Sequence, residues 1–223
     1  MTFSLVARCK DTGQFGMVIS SSSPAVAARC VHLRAGVGAV ASQNVTDPGL
    51  GPLVLDQMAM GKSAPEALAA ITANRHYIDY RQLLVIDGAG RSAIHSGAQV
   101  LGIWAEARGI DCAAGGNLLA NPGVAQAMID GFETGKGPFG DRLMAALHAG
   151  LAAGGEAGPV HSAGMKIVDK LDWPVADLRI DWSDRPIEDL AAAWQVYHPQ
   201  MAAYVQRALN PSVAPSYGVP GDE

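Results

Sequence analysis

Residues 2–44 read TFSLVARCKDTGQFGMVISSSSPAVAARCVHLRAGVGAVASQN and decide the fold. Side chains alternate along residues 2–7 with the period of a strand, and a second alternating set follows at residues 15–19. The Lys-Asp-Thr-Gly sequence at 10–13 is typical of a turn, so the stretch predicts a β-hairpin that begins at residue 2. A further strand is predicted at 37–42. A terminus fixed in a central strand is held rigidly, which matters because Thr2 follows Met1.

Composition favours one globular domain with a core of small side chains. The chain has 223 residues, of which 49% are hydrophobic and 6% aromatic. We expect a single domain over residues 1–209 and a loose tail over 210–223, where three prolines occur in fourteen residues. The net charge is −5 and no Lys/Arg cluster is longer than a pair, which argues against a nucleic-acid or anionic-membrane partner.

The cysteines and the hydropathy pattern favour a cytoplasmic protein. Cys9, Cys30 and Cys112 are odd in number and form no C-x-x-C motif, which argues against a disulfide framework and against a cysteine zinc site. The apolar run at the N-terminus stops before Arg8 and is too short for a secretory signal. No window approaches 18 unbroken apolar residues, so we expect no membrane partner.

The rest of the chain reads as blocks of strands and blocks of helices. Residues 25–34 stay open between a short helix and an irregular crossing, and Pro199 is predicted to interrupt the last helical segment. Helices that are grouped in blocks, and do not alternate with single strands, favour α+β layers over a doubly wound parallel sheet. Helices are predicted at 51–60, 63–74, from 121, at 139–151, 186–197 and 201–209, and strands at 81–87, 91–96, 109–114, 163–168 and 177–181.

Five segments carry a resemblance to a known family. They lie at residues 2–22, 34–44, 81–97, 115–124 and 177–190. Together they resemble the domain of unknown function 1028 (DUF1028) family, and the match extends to about His198. That family is similar to a branch of the N-terminal nucleophile (Ntn) hydrolases. The resemblance implies a four-layer αββα sandwich and amide-bond hydrolysis, but it implies no particular substrate.

Thr2 is the nucleophile that this resemblance implies. In Ntn hydrolases the N-terminal Thr, Ser or Cys attacks, and its own α-amine acts as the base that a weakly nucleophilic hydroxyl needs. An α-amine has a pKa of about 8, which suits that task near neutral pH. Met1 precedes Thr2, so the amine becomes free only when the methionine is removed. The alternative is that Thr2 is simply the first residue of a strand.

Arg34 and Asn117 complete the predicted catalytic set. Threonine-type Ntn hydrolases place a lysine on a similar strand, and Arg34 could supply that positive field here. Alternatively, Arg34 is a surface residue at the end of a strand. Asn117 follows two glycines, and its amide with the nearby backbone N–H groups could stabilise an oxyanion.

Polar residues at predicted strand ends are the candidates for substrate binding. They are Ser21, Ser22, Ser42 and Asn44, with His95 as the histidine best placed for a cleft. The alternatives are ordinary turn residues and a hydrogen-bonded structural histidine.

The sequence predicts no metal and no cofactor. The six histidines do not pair at i,i+2 or i,i+4, and no H-E-x-x-H occurs. Residues 36–41 match G-x-G-x-x-A, but these glycines lie inside a predicted strand instead of opening a helix after one.

Three functions remain open from the sequence. The first is an Ntn-type hydrolase of a small amide substrate. The second is a non-catalytic ligand-binding or interaction protein on the same scaffold. The third is an enzyme whose nucleophile is Ser42 or lies among residues 21–23. We also expect a homodimer, because Trp194, Tyr197 and Tyr204 form an apolar helical face; alternatively, this face covers the core of its own subunit.

Overall fold

The chain forms ten strands and six α-helices in the computed structural model, which describes residues 1–222. All strand pairings are antiparallel, so the protein has the α+β class that the blocked element order predicts. The strands are β1 (Thr2–Arg8), β2 (Phe15–Ser21), β3 (Val31–Arg34), β4 (Gly38–Gln43), β5 (Gln82–Asp87), β6 (Ser92–Ser96), β7 (Ala105–Gly109), β8 (Cys112–Asn117), β9 (Ser162–Val168) and β10 (Ala176–Ile180). The helices are α1 (Val26–Cys30), α2 (Leu50–Ala59), α3 (Ala64–Thr72), α4 (Val124–Thr134), α5 (Phe139–Ala152) and α6 (Pro186–Leu209).

The strands form two sheets. The six-stranded sheet has the order β10-β9-β2-β1-β8-β7, and the four-stranded sheet has the order β3-β4-β5-β6. The predicted hairpins β1–β2 and β5–β6 are both present. Because β1 pairs with β2 on one side and β8 on the other, its first residue is held at the centre of a sheet.

The alternation along β1 decides which side chains face each layer. Phe3 and Leu5 lie in a core shared with helices, whereas Val6 lies in a core shared with the other sheet. Ser4 is fully buried and its Oγ donates to Gln43 Oε1 of β4 at 2.7 Å. Even-numbered residues of β1 therefore face the space between the two sheets.

Three hydrophobic cores hold the elements together. The first lies between the six-stranded sheet and helices α4, α5 and α6. The second lies between the two sheets, and the third lies between the four-stranded sheet and helices α2 and α3. Helices thus pack on the outer face of each sheet. Within residues 1–222, no helix combines the length and the apolar character needed to cross a membrane.

Helix α6 differs from the prediction, because Pro199 does not end it. A proline removes one backbone donor and normally kinks or breaks a helix. Here Met201 and Val205, beyond the proline, pack against the same core as Trp194 before it. Tertiary packing on both sides of Pro199 keeps the helix continuous.

The predicted dimer face lies largely on the protein's own core. Trp194 is 1% exposed, and its Nε1 donates to Asp141 Oδ1 at 2.6 Å. Tyr197 donates to the Val175 carbonyl at 2.8 Å. Of the three aromatic residues, only Tyr204 is exposed. Trp194 and Tyr197 therefore cover the core of their own subunit, as the alternative interpretation states.

Three further segments refine the sequence prediction. Residues 25–34 contain both a short helix, α1, and a strand, β3. The strand predicted at 109–114 lies at 112–117, and β7 before it was not predicted. In the predicted tail, Arg207 donates to the carbonyls of Pro215 and Ser216, so part of the tail folds back on α6. Glu223 lies outside the described residues.

Candidate functional site

Three neighbouring strands place Ser21, Thr2 and Asn117 side by side. Thr2 lies directly opposite Asn117 in the β1–β8 ladder. The pairing of Phe3 with Ser20 puts Ser21 beside Thr2 on the other flank. Opposed residues share one face of a sheet, with Cβ atoms about 4.5–5.5 Å apart. All three side chains therefore face the space between the sheets at one of its ends.

A cavity of ≈ 290 Å³ opens at this end. Thr2 and Asn117 line it from the six-stranded sheet, with Met1 just before β1. Arg29 and Cys30 line it from α1, and residues 44–46 line it from the loop after β4. Thr2 is 6% exposed and Asn117 is 1% exposed. We call this space the Thr2 cavity.

The Met1 carbonyl oxygen occupies the position next to the Thr2 hydroxyl. Thr2 Oγ1 donates to this oxygen, and Ser21 Oγ donates to it at 2.5 Å. Ser21 Oγ also accepts from the Ser23 N–H at 3.0 Å, which fixes its position. The site therefore directs two hydroxyl donors at a carbonyl oxygen beside Thr2.

A chain of buried amides determines the orientation of Asn117. Gln82 Nε2 donates to Ser96 Oγ at 3.0 Å and to the Gly116 carbonyl at 3.3 Å, and a backbone carbonyl can only accept. The Gln82 oxygen must then face the other way, where it accepts from Gln43 Nε2 at 2.9 Å and from Asn117 Nδ2 at 3.3 Å. The Asn117 amide nitrogen consequently points to Gln82.

The oxygen of Asn117 is left without a partner. Asn117 Oδ1 is buried and forms no hydrogen bond within the part of the chain described, residues 1–222. An unsatisfied buried acceptor costs about 1–3 kcal/mol, so its presence needs an explanation. Asn117 Nδ2 donates one of its two N–H groups to Gln82, so the predicted oxyanion role rests on the second N–H and on the nearby backbone N–H groups and stays a prediction. Asn117 Oδ1, in contrast, is free to accept from an N–H or O–H group.

Glu156 is a buried acid that contacts the backbone between Ser21 and Ser23, close to the Thr2 cavity. It is 4% exposed, and both of its carboxylate oxygens accept from the Ser22 N–H at 3.1 Å. Burial raises the pKa of Glu156 to about 7, against the lowering effects of the N-terminal ammonium, Ser22 and His161. Glu156 thus anchors the backbone next to Ser21 and changes charge near neutral pH.

Helix α1 contributes a cation and a thiol. Arg29 Nη1 donates to the carbonyls of Pro24 at 2.5 Å and Ala25 at 3.1 Å. Burial raises the pKa of the Cys30 thiol, while the Thr46 hydrogen bond, Arg29 and the N-terminal ammonium act to lower it. A thiol with a raised pKa stays protonated and is a poor nucleophile, so Cys30 is better suited to lining the site than to attack.

The rim of the cavity is conformationally unusual. Asn44, Val45 and Leu118 have positive φ values of 56°, 31° and 52°. Residues other than glycine rarely adopt this region, and β-branched residues such as valine avoid it most strongly. Asn44 holds this loop, because its Nδ2 donates to the Tyr80 carbonyl at 2.6 Å and its Oδ1 accepts from the Leu101 N–H at 3.2 Å. Asn44 lines the cavity, but both ends of its amide are hydrogen-bonded to backbone groups, so its predicted role in substrate binding stays a prediction.

Ser42 and His95 lie on the wrong face of the four-stranded sheet. Both are aligned with Leu83, which packs in the core beneath α2 and α3. Ser42 Oγ donates to the Asp47 carbonyl at 2.8 Å, and His95 Nε2 lies 3.3 Å from the Ile78 carbonyl. Neither residue faces the inter-sheet space, which corrects the prediction that they bind substrate.

Arg34 lies in the four-stranded sheet, at the end far from the Thr2 cavity. It pairs with Gly38 in the β3–β4 ladder, whereas Gln43, the contact of Ser4, is five residues further along β4, roughly 17 Å away. Arg34 Nη2 instead forms an exposed ion pair with Asp56 at 2.8 Å. The expected action of Arg34 on the Thr2 amine is therefore corrected by the register of β3.

Arg29 and Glu156 are the site residues that sequence reasoning missed. Arg29 lies in the segment whose structure was left open, and Glu156 follows two glycines far along the chain, with no motif around either. Ser22 was predicted to bind substrate, but it is the Ser22 backbone N–H that contacts Glu156. Among residues 1–222, no group of three or more His, Cys, Asp or Glu side chains is placed to hold a metal ion.

Comparisons with known proteins identify the family but no activity. The model of the family of unknown function DUF1028 matches residues 2–190, which confirms the resemblance of the sequence. The crystal structure of protein SPO2555 from Silicibacter pomeroyi, which matches the same family model, is 28% identical with a TM-score of 0.84 over 92% of this chain and 90% of that one. Anbu (ancestral β-subunit) from Yersinia bercovieri is 12% identical with a TM-score of 0.41 over 92% and 97% of the two chains. No curated protein matches. This chain therefore belongs to the DUF1028 family of unknown function.

Proposed function

We propose that this protein is a cytoplasmic amide hydrolase of the N-terminal nucleophile type, with Thr2 as the nucleophile once Met1 is removed. One observation carries the proposal: Thr2 begins the central strand β1, and its side chain lines the Thr2 cavity. Removal of Met1 would free the Thr2 amine, so that one residue in the cavity supplies both a hydroxyl nucleophile and an amine base.

The layer arrangement supports the Ntn-type scaffold. Helices α2 and α3 cover the four-stranded sheet, the two sheets share a core, and α4, α5 and α6 cover the six-stranded sheet. We propose that this order is the four-layer αββα sandwich that the sequence resemblance implies. The Thr2 cavity then lies at one end of the middle two layers.

The chemistry follows from the groups around Thr2. In the chain without Met1, the Thr2 amine takes the proton from Oγ1 as Oγ1 attacks the carbonyl carbon of the substrate. The amine then gives that proton to the leaving nitrogen, and the acyl-threonine ester is hydrolysed by water. Ser21 Oγ, which donates to the Met1 carbonyl at 2.5 Å, is directed at the developing oxyanion.

A non-catalytic binding protein is the second candidate. It is favoured by the contacts of Met1, whose carbonyl accepts from both Thr2 and Ser21 and is thus well held in the unprocessed chain. In that form the Thr2 nitrogen belongs to a peptide bond and cannot act as a base. A serine nucleophile has less support, because Ser42 faces the helices and, among residues 1–222, Ser21 Oγ contacts only the Met1 carbonyl and the Ser23 N–H, neither of which is a base.

The intact mass of untagged protein, followed by an amide-hydrolysis screen, tests the proposal. We expect a mass without methionine and hydrolysis that Thr2→Ala lowers at least about 10³-fold, while Thr2→Ser retains part of the rate. Retained Met1, or hydrolysis that survives Thr2→Ala, would overturn the proposed nucleophile and favour the binding protein or another active centre.

A further inference from the structure

Arg29 supplies an unpaired positive charge to the Thr2 cavity. Its Nη1 is anchored to two backbone carbonyls, so the guanidinium is held in place. Its Nε and Nη2 form no hydrogen bond, and no carboxylate lies within 4.0 Å, among residues 1–222. These two nitrogens form one edge of the planar guanidinium, and that edge matches the two oxygens of a carboxylate.

No acidic side chain described by the structure lines the cavity to balance this charge. Glu156, the buried acid close to it, directs both oxygens to the Ser22 N–H. The cavity therefore favours an anionic group.

Asn117 is the second group at the cavity that lacks a partner among residues 1–222, and it requires a hydrogen-bond donor from the ligand. Its Oδ1 is buried, unpartnered within the described chain and fixed as an acceptor by the contact of Nδ2 with Gln82. It lines the same cavity as Arg29 and lies on the strand next to Thr2. In the chain without Met1, an occupant that reaches this oxygen can satisfy it only with an N–H or O–H donor.

We propose that the substrates are N-acylated amino acids: small secondary amides that carry a carboxylate next to the amide nitrogen. Arg29 binds the carboxylate, Asn117 Oδ1 accepts from the scissile N–H, and the acyl carbonyl faces Thr2 and Ser21. The cavity measures ≈ 290 Å³ with Met1 in place and gains the space of Met1 when that residue is removed, which suits a small ligand. This inference rests on the proposed hydrolase function and adds its substrate class.

The binding test uses full-length Thr2→Ala protein, so that no substrate is consumed. N-acetylglycine and N-acetylglycinamide differ only in the carboxylate, and calorimetry measures the dissociation constant of each. We expect the acid to bind about 10- to 100-fold more tightly, since a charge-assisted hydrogen-bond pair is lost in the amide. Arg29→Gln should abolish the difference, Arg29→Lys should retain part of it, and Arg34→Gln, a matched change at a distant ion pair, should preserve it. Affinities of acid and amide within threefold, or no binding of the acid, would overturn the inference.

Turnover separates this inference from the proposed function. In the protein that retains Thr2, we expect Arg29→Gln to raise the KM for N-acetylglycine at least tenfold. The KM for N-acetylglycinamide should stay within twofold of its value before the substitution. Thr2-dependent hydrolysis of both compounds with equal KM would overturn the substrate class and leave the hydrolase standing. Arg29-dependent binding of the acid without hydrolysis of any amide would overturn the hydrolase and support carboxylate recognition alone.

Discussion

The two cavities between the sheets differ in how their charged groups are satisfied. The one between β3 and β9 is larger, at ≈ 510 Å³, and is lined by Arg34, Lys166 and Lys170. Two of these cations are already paired: Arg34 with Asp56 at 2.8 Å and Lys166 with Asp177 at 2.9 Å. The Thr2 cavity has little more than half that volume but holds unpaired groups on two of its walls.

The comparison shows that volume and charge alone do not locate a binding site. A paired surface cation contributes at most about 1 kcal/mol to stability and asks for no ligand. An unpartnered amide oxygen inside a protein costs more than that and is rarely tolerated without a purpose. The unpartnered oxygen of Asn117 therefore favours the smaller cavity as the candidate site, despite the larger number of lysine and arginine side chains around the other.

Ser21→Ala should have the largest effect among the tests of this comparison. If Ser21 Oγ stabilises the oxyanion, its loss should lower kcat by about 10²- to 10³-fold with little change in KM. Steady-state kinetics on any amide that the Thr2 protein hydrolyses measures this effect.

Ser42→Ala is the matched control for Ser21→Ala. Ser42 is also fully buried and also donates its hydroxyl proton to a backbone carbonyl, but it faces the helices. We expect Ser42→Ala to lower the free energy of unfolding by about 1 kcal/mol and to leave kcat unchanged. Equal losses of kcat in both variants would show that the Thr2 cavity has no special role.

Glu156→Gln should change the pH dependence of stability. The folded-state pKa of Glu156 is raised to about 7 from an ordinary value of 4.5, so the folded chain binds an extra proton between these values. The free energy of unfolding should therefore fall as pH rises from about 4.5 to about 7, by on the order of 3 kcal/mol at most. Urea unfolding at several pH values should show this fall in the parent chain and a flatter profile in Glu156→Gln. Parallel profiles in the two chains would contradict the assignment.

The sequence predicted the centre of the site better than its walls. Alternation along β1 places Thr2 at the start of a strand, because burial of every second residue fixes the register. Alternation did not show which of Arg29 and Arg34 lies at the Thr2 cavity. Their positions depend on where the short helix α1 ends and β3 begins, which tertiary contacts decide. Glu156 was beyond prediction because its contact with Ser22 spans 134 residues.

Arg34→Gln should have the smallest effect, and it tests the comparison from the side of the larger cavity. The side chains of Arg34 and Asp56 are 42% and 55% exposed, so water and salt screen their attraction. We expect the free energy of unfolding to fall by about 0.5 kcal/mol or less, and this difference to shrink further in 1 M salt. Hydrolysis should be unaffected, because Arg34 is about five strand residues away from the Thr2 end of β4. A tenfold loss in kcat/KM would instead mean that the electrostatic field of Arg34 reaches Thr2. The larger cavity, with its paired cations, would then not be functionally distinct from the Thr2 cavity, with its unpaired groups.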